Sequence, residues 1–170
     1  MIKYILHIVL VTASFGLQAQ NVQQYEEQKE NSIISVLVDK KWNGNGILIG
    51  KEATFMMHWQ KVLQDNFIKL EFQNERKSDS GKDIVFTATA FYKKVNDTTV
   101  VGNWYGNRGV TFGLKGTTKE NELTIFWGDE NTEMGKTIYR YSGDGIYVED
   151  YIMNKGKYSK FATASYTVSD

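Results

Sequence analysis

From Trp42 to its C-terminus the chain repeats one pattern: a run of alternating or aromatic-rich residues, then a cluster of glycine, asparagine and aspartate. Runs recurring every 8–12 residues or so, closed by turn-forming residues, are the signature of short antiparallel strands joined by hairpins. The runs read as strands are Gly46–Gly50, Thr54–Leu63, Phe67–Asn74, Ile84–Lys93, Thr98–Tyr105, Gly109–Lys115, Glu122–Trp127, Thr137–Tyr141, Gly145–Met153 and Tyr158–Val168. Between them stand Gln64-Asp65-Asn66, Ser78–Lys82, Asn96-Asp97, Gly106–Gly109, Lys119-Glu120-Asn121, Ser142–Gly145 and Asn154-Lys155-Gly156. These residues accept the left-handed or tight backbone that hairpins need. The chain has no proline, so no strand amide is lost from a ladder on that account. No segment after Val38 carries helical periodicity.

A row of hairpin-linked strands must hide its two open edges. Closure into an up-and-down β-barrel does so most completely. The predicted fold is therefore all-β, an antiparallel up-and-down barrel of roughly 8–10 strands, with a two-sheet β-sandwich as the alternative. Side chains alternate between lumen and exterior in such a barrel, and one of this size has room for a small ligand. Several strands carry apolar residues on both parities, Ile84–Tyr92 among them, so the pattern leaves open which face lines the lumen.

Upstream, one positive charge at Lys3 is followed by a run from Tyr4 to Leu17 that is apolar apart from His7, Thr12 and Ser14. The run ends in Leu17-Gln18-Ala19-Gln20, a small-residue cleavage pattern, and is shorter than the roughly 20 apolar residues of a membrane span. Residues 1–19 are read as a cleavable signal peptide, 20–31 as a polar linker and 32–170 as one barrel domain. Localisation in the periplasm or the medium follows, with no stable membrane insertion after cleavage. Asn31-Ser32 precedes Ile33–Val38, which reads either as a short capped helix or as a first strand.

Without Lys3 the mature chain holds 19 basic and 20 acidic side chains, a formal charge of −1, so it has no basic excess for phosphates and no nucleic acid is expected as partner. It has no cysteine, which excludes disulfides, thiolate catalysis and a lipidated N-terminal cysteine. His58 is the one imidazole of the mature chain. A zinc site wants three or four ligands, so no metal site is assigned. No Gly-x-Ser-x-Gly elbow is present either, and any serine–histidine–acid arrangement would have to recruit His58.

The order of Trp42-x-Gly44-x-Gly46, Thr54-Phe55-x-Met57-x-Trp59, Phe67-Ile68-Lys69-Leu70-x-Phe72, Gly102-x-Trp104, Asn107-Arg108-Gly109, Trp127-Gly128, Thr137-x-Tyr139 and Phe161-x-x-Ala164-x-Tyr166 resembles the calycins. This is the lipocalin and fatty-acid-binding superfamily, and in particular its bacterial lipocalin-like domains of unknown function. The resemblance implies a barrel with a pocket. It departs from the lipocalin opening, where glycine precedes the tryptophan. The related haem-binding barrels use a late histidine, and no histidine follows His58, so no cofactor is expected.

The expected function is an exported lipocalin-like module that holds a small hydrophobic or amphipathic molecule. The alternatives are an enzyme using His58 or a lumen carboxylate as acid or base, and a filled structural or interaction barrel. Candidate ligand-binding residues are Trp104, Arg108, Trp127, Tyr139 and His58. The two tryptophans flank polar loops that can rim a mouth, and Arg108 can clamp an anionic head. Tyr139 belongs to an aromatic and charged hairpin with Arg140, Tyr141, Tyr147, Glu149, Asp150 and Tyr151. Tyrosine joins an apolar ring to a polar tip, which suits a cavity wall.

Overall fold

The computed structural model describes residues 32–169. The signal peptide and polar linker expected over 1–31 lie outside the described residues. Ten strands follow one another along the chain: β1 Lys40–Leu48, β2 Lys51–Val62, β3 Phe67–Lys77, β4 Asp83–Asn96, β5 Thr99–Gly106, β6 Thr111–Lys119, β7 Glu122–Trp127, β8 Gly135–Tyr141, β9 Ile146–Asn154 and β10 Lys157–Val168. Each pairs antiparallel with its neighbours in sequence, and β1 pairs with β10 from Trp42↔Val168 to Leu48↔Ala162. The sheet is a closed up-and-down barrel. The sandwich alternative falls because no edge remains.

The first strand differs from the expected Gly46–Gly50. It begins at Lys40, because Trp42, Gly44 and Gly46 pair on both sides with β2 and β10, and it ends where Ile49 and Gly50 turn the chain at φ 51° and 72°. β4 and β6 also run beyond their apolar stretches, since the ladder hydrogen bonds continue after the hydrophobic pattern ends. The open choice at Ile33–Val38 resolves to a helix, α1 (Ile33–Leu37). Ser32 caps it by accepting from the Ser35 amide.

Parity is decided by burial. Ala53, Phe55, Met57 and Trp59 of β2 are buried, while Thr54, Met56 and His58 face the exterior side. Leu70, Ala90, Leu123, Ile125, Val148 and Ala164 continue the same inner wall on other strands. The antiparallel order puts α1 and the even-numbered hairpins, β2–β3 through β8–β9, at one end. The hairpins β1–β2, β3–β4, β5–β6, β7–β8 and β9–β10 form the other. α1 lies against β7 and β8 with Ile33 and Leu37 fully buried, and the Trp42 indole N–H donates to the Leu37 carbonyl at 3.2 Å. The helix covers its end of the barrel because its two apolar residues four apart share one face.

Strong curvature brings backbones together at inward glycines. A Cβ on Gly46 would stand 1.9 Å from the Thr163 carbonyl oxygen of β10. Gly46→Ala is therefore expected to cost about 3 kcal/mol, the upper part of the overpacking range, because the obstacle is backbone and cannot rotate away. Chemical denaturation of the variant measures it, and an unchanged midpoint would show that β10 simply yields.

Candidate functional site

Strands with apolar inner faces bury whatever polar residue shares their parity. On β9 that parity reads Ile146, Val148, Asp150, Ile152, so Asp150 points inward opposite Thr137 of β8 and Ala162 of β10. Thr137 Oγ1 donates to Asp150 Oδ1 at 2.6 Å. Burial disfavours the charged form and raises the Asp150 pKa from 3.8 to about 6, against the opposing pull of the Thr137 bond. Asp150 is enclosed by protein yet only half-buried in accessible surface. A group meets both conditions when it faces a space inside the barrel.

Three tyrosines of the inner wall feel the charge of this carboxyl. Tyr92 of β4, Tyr139 of β8 and Tyr166 of β10 are buried, and each hydroxyl is pushed above its ordinary pKa, first by burial and then by neighbouring negative charge that includes Asp150. They are neutral donors at any physiological pH. Trp59 stacks on Tyr92 at 5.4 Å between ring centroids and meets Tyr139 edge-on at 5.7 Å. Its buried indole N–H has no hydrogen-bond partner among the described residues. A buried donor left unpaired costs about 1–3 kcal/mol.

An aromatic path leads from this cluster to the end opposite α1. Tyr166 meets Phe55 at 6.1 Å, Phe55 meets Phe72 at 6.5 Å, and Phe72 meets Trp104 at 5.6 Å. Trp104 stacks on Phe86 at 6.4 Å, and Phe72, Phe86, Trp104 and Trp127 all keep part of their surface exposed. The interior thus pairs a polar, acidic centre with a row of packed aromatic rings.

The expected site residues divide. Tyr139 lies in the polar cluster. Trp104 lies in the aromatic row, and Trp127 packs against Phe112 at 5.4 Å beside the same end. Arg108 sits in the β5–β6 turn, with its guanidinium over the Phe86 ring at 5.4 Å and 3.7 Å from a Glu133 carboxylate oxygen. His58 belongs to a different surface. It faces outward, and its Nδ1 lies 3.3 Å from Glu71 Oε2, while Lys69 donates to the other Glu71 oxygen. The enzyme alternative in which His58 reaches into the lumen is corrected by this placement. His58→Ala and Arg108→Ala should each change stability by at most about 1 kcal/mol, since the Arg108–Glu133 pair is exposed and the His58–Glu71 contact is a single 3.3 Å bond on the outer face. Thermal unfolding of both variants checks this, and a loss of several kcal/mol at either would mean a buried role.

Asp150, Thr137, Tyr92, Tyr166 and Trp59 were not singled out for the site from sequence. The signal for Asp150 was available: one acidic residue on the apolar parity of Ile146–Ile152. Its neighbour Glu149 shows the contrast. On the outer face, Glu149 accepts from Lys160 and Arg140, whose charges hold its pKa down at about 2. Two adjacent carboxyls are thereby driven in opposite directions by the two sides of one strand.

A shallow groove of about 300 Å³ opens on the exterior beside Asn43, Asn45, Thr54 and Gln73. It has no titratable side chain. Among the described residues, no group of three or more histidine and acidic side chains is placed to hold a metal ion. No protein-family model matches this chain, and no curated protein sequence matches it either.

Proposed function

We propose that this protein is an exported, calycin-like binding module that holds one small amphipathic molecule inside its barrel. The observation that carries the reading is the set of polar groups with unused hydrogen-bonding capacity in an apolar interior: the Asp150 carboxyl, the tyrosine hydroxyls that feel its charge and the orphaned Trp59 N–H. Interiors satisfy their polar groups, so such a cluster calls for a ligand or ordered water to complete it. The aromatic row offers matching apolar surface for the rest of the molecule. The closed up-and-down barrel supports the calycin resemblance, and the apolar run before Ala19 supports export.

A filled structural barrel fits less well, because a core without a ligand gains nothing from a buried carboxyl held by one threonine and from an unpaired indole N–H. An enzyme reading keeps one specific support, a carboxyl with pKa about 6 beside tyrosine donors, which suits acid–base work near neutrality. Native mass spectrometry of the protein purified from its own host tests the proposal. A stoichiometric small molecule released on denaturation supports it. A clean apo mass that persists after incubation with a lipid and metabolite extract counts against it. The same spectrum reads the N-terminus, expected at Gln20.

A further inference from the structure

We infer that the molecule held in the lumen is an organic cation, a protonated amine whose head sits against the Asp150 carboxylate within the rings of Trp59, Tyr92, Tyr139 and Tyr166. The inference rests on the ligand-binding reading above and adds the chemical class. Its first support is charge. Among the described residues, Asp150 is the one formal charge of the cluster, and no lysine, arginine or histidine acts on it. Its single hydrogen bond comes from neutral Thr137. A carboxylate in an apolar interior is costly unless a cation accompanies it, and none of the described residues supplies one there.

The second support is the wall. Trp59 and Tyr92 present stacked rings, with Tyr139 edge-on to Trp59. Aromatic faces attract cations, most strongly where water is excluded. An ammonium has several N–H donors: one meets Asp150, and others can meet tyrosine oxygens, each of which has acceptor lone pairs. An anionic head would face the field of Asp150 without a countercharge. A fatty-acid-like carboxylate is therefore the wrong class for this lumen, whatever Arg108 does at the mouth, where Glu133 already stands beside it.

The test compares three probes of one shape, 2-phenylethylamine, 2-phenylethanol and phenylacetate, titrated into the mature protein at pH 7.5 by calorimetry and tryptophan fluorescence. The amine is expected to bind about tenfold more tightly than the alcohol, with the acid weakest. Asp150→Asn should bring the amine down to the alcohol's affinity and leave the alcohol unchanged, which also shows that the variant is folded. Lowering the pH from 7.5 to 5 should weaken the amine alone. The titratable groups facing Asp150 are Tyr92 from β4, Tyr139 from β8 and Tyr166 from β10, and none of these tyrosines changes charge in that interval.

Equal or tighter binding of the alcohol or the acid overturns the amine assignment while leaving the binding module standing. Binding of no probe, in a protein that retains a native ligand from its host, also overturns the amine assignment alone. Binding of no probe together with a clean apo mass overturns both.

Discussion

Trp42→Ala is expected to lower the free energy of unfolding by about 3–5 kcal/mol, the range for removing a large buried aromatic side chain. Trp42 is 2% exposed and bonds the Leu37 carbonyl through its indole N–H. Two losses combine in the variant: a cavity where the ring stood, and a helix end no longer tied to β1. Five residues of helix have almost no stability of their own, so α1 depends on this anchor and on the burial of Ile33 and Leu37. Urea denaturation measures the global effect, and amide exchange over 33–38 measures the local one. Trp42→Phe separates the two, because it keeps most of the ring and loses the bond. A loss below about 1 kcal/mol for Trp42→Ala would mean that the barrel end closes without the helix.

Asp150→Asn should stabilise the protein at pH 7.5 by about 2–3 kcal/mol, taking about 1.4 kcal/mol per pKa unit over the rise from 3.8 to about 6. The folded-state pKa is raised, so the folded protein binds this proton more tightly than the unfolded chain does. The contribution favours folding below about pH 3.8 and is lost as pH rises through about 6. Asparagine removes that dependence. Wild type and variant should therefore be close in stability near pH 4 and diverge towards pH 7.5, in denaturation series run on both.

Glu149 works the other way. Its pKa is lowered to about 2 by Lys160 and Arg140, so its contribution is present above about 4.5 and is lost as pH falls towards 2. It is common to both proteins and cancels in their difference. A variant less stable than wild type at pH 7.5 would show that Asp150 has a compensating partner. A stabilising change that abolishes amine binding would mark the lumen carboxyl as kept for function at the expense of stability.

Much of the architecture was legible. Asn154-Lys155-Gly156 and Ser142–Gly145 announce hairpins by local backbone chemistry, with Lys155 at φ 49°, Gly156 at 77° and Gly143 at 86°. Short connections dictate neighbours, and ten such strands dictate closure. The site was less legible. Tyr139, Trp104 and Trp127 were picked for residue type and loop position, and His58 for its chemistry, yet His58 lies on the outer face.

The chain's local spacing thus determined the strands, their turns and their order, and its composition the lack of cysteine and of any basic excess. Which parity faces inward was decided only by the closed barrel. Thr54, Met56 and His58 on one side and Phe55, Met57 and Trp59 on the other are both compatible with a strand until the register with β1 and β3 buries one of them. The polar cluster was likewise decided in three dimensions. Its members come from β2, β4, β8, β9 and β10, brought together across the lumen by strand tilt and closure, and no short window of sequence contains them. Surroundings then set the chemistry: Glu149 and Asp150 are adjacent, alike in type and both enclosed, but Glu149 meets Lys160 and Arg140 on its side of the wall while Asp150 meets only neutral Thr137 on the other.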